Sequence, residues 1–194
     1  MLGPRLVLCL GNPGPAYSLT WHNAGFWTAD VLAAEAGVSM KNAGLFSAAR
    51  LPCGLELAKP MTFMNESGRA AAALLRIHDL TPDDLLVVCD ETSLPLGRLR
   101  LRKGGSAGGH KGLSNIISCL GTDSFARLRL GIGQAPEGVD LADYVLSKVP
   151  RSQEEEASLM AHRAADCVMK AFDEGIEAAQ DIFNSSVPRS GTDM

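Results

Sequence analysis

The chain has 194 residues, 46% of them hydrophobic, and a net charge of −4. That length suits one compact domain with a sizeable core. No apolar run approaches the roughly 20 residues of a membrane span, and no charged segment leading into a long apolar one opens the chain, so no secretory signal is expected. The five cysteines make no CxxC and no close His/Cys pair. Cys9, Cys89 and Cys119 sit in apolar runs. They read as buried thiols of a reducing cytoplasm, with neither a disulfide frame nor a zinc site.

Taken in order, Leu6 to Leu10 is a short apolar run stopped by Gly11-Asn12-Pro13-Gly14. It reads as a strand buried on both faces and then a turn. Residues 21–36 follow as an amphipathic helix ended by Gly37. Residues 45–51 and 55–58 read as a strand pair, residues 59–65 as a loop, and Ser67-Gly68 as the opening of a helix over 69–78. Leu85 to Cys89 is a second buried strand, ending at Asp90-Glu91. Residues 97–102 alternate arginine and leucine as a half-buried strand requires. Residues 103–112 form a glycine-rich loop, read as a flexible flap. A helix over 113–120, a strand over 126–132 with its arginines facing out, and helices over 140–147 and 153–184 complete the pattern. Strands alternating with helices predict an α/β fold with a mostly parallel sheet. Residues 1–184 are expected to be one domain and 185–194 a loose tail.

Charge is unevenly spread. Residues 98–129 hold seven Arg and Lys against Asp123 alone, a local +6. Such a region can be a phosphate footprint or a plain solvated face.

In open α/β sheets, ligands bind beyond the carboxyl ends of the strands. Asn12, His22 and Asp90 all fall there. His22 near a helix start fits a general base, though a capping histidine is equally ordinary. Asp90 fits an orienter for that base, or a turn cap. Asn12 and Asn65 can grip a carbonyl or amide, or serve as turn-former and helix cap. Tyr17 and Phe63 can stack on a base or ribose, or fill a rim. Ser106 lies in G-x-S-x-G, but four residues separate that motif from the next helix, so a nucleophile elbow fits poorly.

Four segments in register, LCLGNPGPAYSLTWHNAGF, KPMTFMNESG, DETSLPLGRLRLRKGGSAGGHKGL and RLRLGIG, resemble bacterial-type peptidyl-tRNA hydrolase from about Leu6 to Pro150. The resemblance implies a single-domain three-layer α/β/α sandwich with a mixed, mostly parallel sheet, acting as a cytoplasmic monomer without metal or cofactor. It implies cleavage of the ester between a peptide and the 3′ ribose of tRNA. His22 would activate water, Asp90 would orient it, and Asn12 would sit by the scissile ester. Phe63 and Asn65 would meet the substrate near the ribose and first peptide unit, Tyr17 the tRNA end, and residues 98–111 the acceptor-stem phosphates. Two positions depart from the family. Trp21 stands where the family has Arg, read as loss of a surface or phosphate contact. Lys111 replaces an Asn that positions the tRNA end and water; it can take a phosphate but cannot copy the amide. The alternatives are a non-catalytic RNA binder and a Ser106 esterase.

Overall fold

The computed structural model describes residues 3–185. Seven strands form one sheet: Leu6–Cys9 (β1), Lys41–Asn42 (β2), Phe46–Arg50 (β3), Glu56–Pro60 (β4), Leu85–Glu91 (β5), Leu99–Arg102 (β6) and Ala126–Gly131 (β7). Their order is β2-β3-β4-β1-β5-β7-β6. The central pairings β4–β1, β1–β5 and β5–β7 are parallel, and the outer pairings β2–β3, β3–β4 and β6–β7 are antiparallel. The helices are Ala24–Glu35 (α1), Ser67–Ile77 (α2), Lys111–Leu120 (α3), Leu141–Leu146 (α4), Glu154–Glu174 (α5) and Ile176–Phe183 (α6).

Side-chain alternation along the strands divides the core into two layers. Leu6 and Leu8 of β1 join Leu85 and Val87 of β5 under Leu74 of α2 and Leu113 and Ile116 of α3. Val7 and Cys9 join Leu86 and Val88 under Leu32 of α1 and Ala164 and Val168 of α5. Each such leucine or valine contributes about 1.5–3 kcal/mol by leaving water. Helices thus cover both faces, giving the expected three-layer α/β/α arrangement.

The active end of the sheet is set by one close approach. A methyl group at Gly25 would lie 2.5 Å from the Leu10 carbonyl oxygen and 2.6 Å from that of Val88. Only a glycine lets α1 press onto β1 and β5 at that point. The 3₁₀ turn Trp21–Asn23 runs straight into α1, so His22 is delivered to the end of β5. Gly25→Ala is expected to destabilise the fold by about 1–3 kcal/mol through overpacking, read as a lower urea midpoint at unchanged m-value.

Several expectations need correction. Helix 21–36 is buried on more than one side (Phe26, Thr28, Ala29, Leu32 and Ala33 are all covered) and is not a simple amphipathic stripe. Helix 153–184 is two helices. Gly175, at φ 93° and ψ 165°, sits in a backbone region open essentially to glycine alone and breaks the run. Cys119 is exposed, as is Cys53, while Cys9, Cys89 and Cys167 are buried. Trp21 is also buried, packed against Trp27 and Tyr144 at ring distances of 6.3 and 6.5 Å. Position 21 therefore faces the core and offers no surface contact. Of the predicted loose tail, Ser185 donates its hydroxyl to the Asp181 and Ile182 carbonyls, and the remainder lies outside the described residues.

Arg127 overturns the reading of outward-facing arginines. It is 1% exposed. Its guanidinium lies over the Phe125 ring and donates to the carbonyls of Gly105, Ser106, Asp123 and Phe125. Arg129 donates to Glu91 and to the Ser106 carbonyl. Two arginines of β7 thereby fasten the glycine-rich segment, which is no free flap. β6, at the sheet edge, keeps Arg100 and Arg102 exposed and Leu99 and Leu101 buried, as the alternation predicted. Its outer backbone is met by α6: Asn184 accepts from the Leu101 N–H at 2.7 Å, and Gln180 and Asn184 donate to the Leu101 carbonyl at 3.0 and 3.1 Å.

Candidate active site

Asp90 lies near the end of β5 with its side chain 3% exposed. Its Oδ1 accepts from two imidazoles. His22 Nδ1 is 2.8 Å away and His110 Nε2 3.0 Å, and the two rings lie 5.0 Å apart. Burial works to raise the Asp90 pKa, but the attraction and hydrogen bonds that His110 and His22 offer its charged form outweigh it, and the carboxyl is held well below the usual carboxylate range.

The hydrogen bonds fix the tautomers. The Leu113 backbone N–H donates to His110 Nδ1 at 3.2 Å, capping α3. A backbone N–H can only donate, so Nδ1 carries a lone pair and the ring proton sits on Nε2, facing Asp90. An ionised Asp90 can only accept, so His22 Nδ1 carries its proton and donates it in the hydrogen bond to Asp90 Oδ1. That leaves His22 Nε2 with its lone pair and no hydrogen-bond partner among the described residues.

Asn12 is oriented by the same kind of argument. Its N–H donates to Asn23 Oδ1 at 2.9 Å, and Asn23 Nδ2 returns a bond to its carbonyl at 3.0 Å. Its own Oδ1 accepts from the Met64 N–H at 2.8 Å. The amide Nδ2 is then a donor without a partner among the described residues, on a side chain that lines the cavity.

That cavity has a volume of about 540 Å³. It gathers Asn12, Tyr17, His22, Phe63, Asn65, Asp90 and Lys111 around one space. Tyr17 and Phe63 meet edge to face at 6.3 Å. Lys111 is the first residue of α3 and is exposed at the rim. Asn65 is not a helix cap: the Gly68 N–H at the start of α2 is met instead by Asn115 Oδ1 from α3, at 2.7 Å. Ser106 does not line the cavity.

The sequence placed His110 only at the rim of a loop, yet its side chain is 7% exposed and bonded to Asp90. The signal available was its position three residues before Leu113, where a helix-capping side chain belongs. The wall formed by Leu141, Val145 and Leu146 of α4 was also not foreseen. Tyr144 anchors that helix by donating to the Ile132 carbonyl at 2.7 Å.

Among the described residues, His22, Asp90 and His110 are the group whose ligand atoms, all within 4.8 Å, could share a cation. The sequence could not show this, since Asp90 is 68 residues from His22 and 20 from His110. The atoms that would bind an ion are the ones joined by hydrogen bonds, so a cation would have to displace two ring protons.

The chain matches the model of the peptidyl-tRNA hydrolase family over residues 6–190. It is 42% identical over 184 residues to a peptidyl-tRNA hydrolase of Elusimicrobium minutum, covering 93% of this chain and 98% of that one. Against the peptidyl-tRNA hydrolase of Nocardia farcinica, identity is 44% over 184 residues, with 92% and 95% covered. The solved structure of peptidyl-tRNA hydrolase from Acinetobacter baumannii matches with a TM-score of 0.87 at 31% identity, covering 97% of this chain and 98% of that one. With the sheet order, the covered faces and the cavity at the strand ends already in view, these likenesses over nearly the whole length mean that the chain belongs to the peptidyl-tRNA hydrolase family, a family of hydrolases acting in translation.

Proposed function

We propose that residues 1–184 act as one unit that hydrolyses the ester joining a peptide, or an N-blocked amino acid, to the 3′ end of tRNA. His22 is the base and Asp90 its orienter. The observation that carries this reading is the 2.8 Å bond from His22 Nδ1 to a buried, ionised Asp90, which leaves Nε2 available at the cavity. Nε2 takes a proton from water as the water oxygen attacks the ester carbonyl carbon. The charge that appears on the imidazole faces Asp90, and the charge on the carbonyl oxygen is met by the Asn12 Nδ2 donor. Collapse breaks the carbon–oxygen bond to the ribose, and His22 returns its proton to that ribose oxygen. Tyr17 and Phe63 offer faces for the terminal base, Asn65 a polar contact beside them, and Lys111 a cation for a phosphate. No metal or cofactor is called on, and the unit acts as a cytoplasmic monomer.

A pure RNA binder has no use for a base and its orienter together, and Ser106 lies off the cavity, so neither alternative gains support. The test is turnover of N-acetyl-aminoacyl-tRNA in ¹⁸O-labelled water. One labelled oxygen is expected in the released carboxylate and none in the tRNA; intact substrate would end the proposal.

The acceptor stem is assigned to the exposed Arg100 and Arg102 on β6. Arg127 and Arg129 face protein groups instead. Arg100→Ala and Arg102→Ala are each expected to lower the slope of log affinity against log salt by about 1, measured by filter binding. Arg127→Met is expected to leave that slope alone and lower stability.

A further inference from the structure

Trp21 departs from the family, and the catalytic reading gives it no task. It adjoins His22 in the chain and is 1% exposed. Its ring packs against two others, Trp27 of α1 at 6.3 Å and Tyr144 of α4 at 6.5 Å. Trp27 is fixed in turn, its Nε1 donating to the Ser18 carbonyl at 2.8 Å. α4 needs such a hold. It has six residues, none of them buried, and isolated helices shorter than about 12–15 residues are marginal in water. Asp140 caps it by accepting from the Ala142 and Asp143 N–H groups at 2.8 and 3.4 Å. A cap fixes how a helix starts and not where it lies. After α4 the chain runs antiparallel to residues 19–21. The Trp21 N–H donates to the Ser147 carbonyl at 3.3 Å, the Val149 N–H to the Leu19 carbonyl at 2.9 Å, and Thr20 pairs with Lys148. The segment before His22 thus carries α4 twice, by backbone beyond its end and by the Trp21 ring at Tyr144.

We propose that Trp21 is a positioning residue: through the ring of Tyr144 it holds α4, with Leu141, Val145 and Leu146, at the cavity that His22 borders. The inference rests on the reading given under Proposed function. The hold acts on the wall and not on the base. His22 is kept by its 2.8 Å bond to Asp90, and its neighbour Asn23 is tied to the Asn12 backbone by two bonds of 2.9 and 3.0 Å. None of these runs through the Trp21 ring. Losing the ring contact therefore frees α4 and leaves the imidazole in place. An apolar wall that touches bound substrate and its transition state alike contributes to KM and not to kcat. That split separates a positioning role from general damage to the fold.

The test removes the contact from either side. Trp21→Leu and Tyr144→Leu are each expected to raise KM for N-acetyl-aminoacyl-tRNA about fivefold or more, with kcat within about twofold of wild type. Both act through one contact, so the double variant is expected to raise KM by less than the product of the single effects. Trp21→Leu also empties part of the core; Tyr144→Leu, at a half-buried position, decides alone should the first not fold. Tyr144→Phe keeps the ring and gives up only the hydroxyl bond to Ile132, and is expected to raise KM less than Tyr144→Leu does. A second readout uses no substrate. Thermolysin, which cuts before apolar residues, is expected to cleave at Leu141, Val145 or Leu146 about fivefold faster or more in both leucine variants than in wild type, under conditions where circular dichroism shows the fold intact. An unchanged KM, a loss in kcat alone, equal effects of Tyr144→Phe and Tyr144→Leu, or cleavage of α4 at the wild-type rate would each overturn the proposal. Should the wild type turn over no substrate, the catalytic reading falls, and proteolysis still decides whether Trp21 holds α4.

Discussion

His22→Ala is expected to lower kcat on N-acetyl-aminoacyl-tRNA by about 10²–10⁴-fold, the range for loss of a positioned general base. KM is expected to hold, because Phe63, Asn65 and Lys111 remain at the cavity. A loss confined to kcat marks an interaction made in the transition state. Folding should survive, since Asp90 keeps its bond from His110 at 3.0 Å. Single-turnover kinetics beside a thermal melt separates the two effects. A rate within threefold of wild type would remove His22 from the mechanism.

Asp90→Asn is the more discriminating change, with an expected loss of about 10²–10⁴-fold in kcat. The amide keeps the shape but not the charge that holds the Nδ1 proton on His22 and balances the imidazolium during attack. The acid side of the stability curve tells this apart from simple damage, because the Asp90 carboxyl is held low in the fold. The depressed carboxyl contributes stability in full above the unfolded value of about 3.9, and the contribution is lost as pH falls through the lower folded value. Asp90→Asn is expected to flatten that acid-side loss, measured by urea melts across the range.

What could be read from the chain alone, and what could not, follows the physics of each signal. Leu6–Leu10 and Leu85–Cys89 were legible because strands covered on both faces are apolar throughout, and His22, Asp90 and Asn12 because strand ends are where such sheets hold ligands. Arg127 was misread because a period of two says which residues share a face, not what covers it; there the cover is the segment carrying Gly105 and Ser106. His110 was underweighted because histidine is not among the usual capping residues, and its bond to Asp90 spans 20 positions. An isolated glycine is an interruption a helix can tolerate, so residue type alone does not split 153–184, whereas the dihedrals of Gly175 make it a stop.

The side chains of Gln180 and Asn184 at the border of the sheet have a consequence for shortened forms of the protein. They occupy the donor and acceptor of Leu101 that another strand would otherwise seek. A chain cut before residue 180 would leave that rim of β6 bare, an invitation to edge-to-edge polymerisation. α6 and the Asn184 that caps it thus cover an edge at which neighbouring copies would otherwise add on to the sheet.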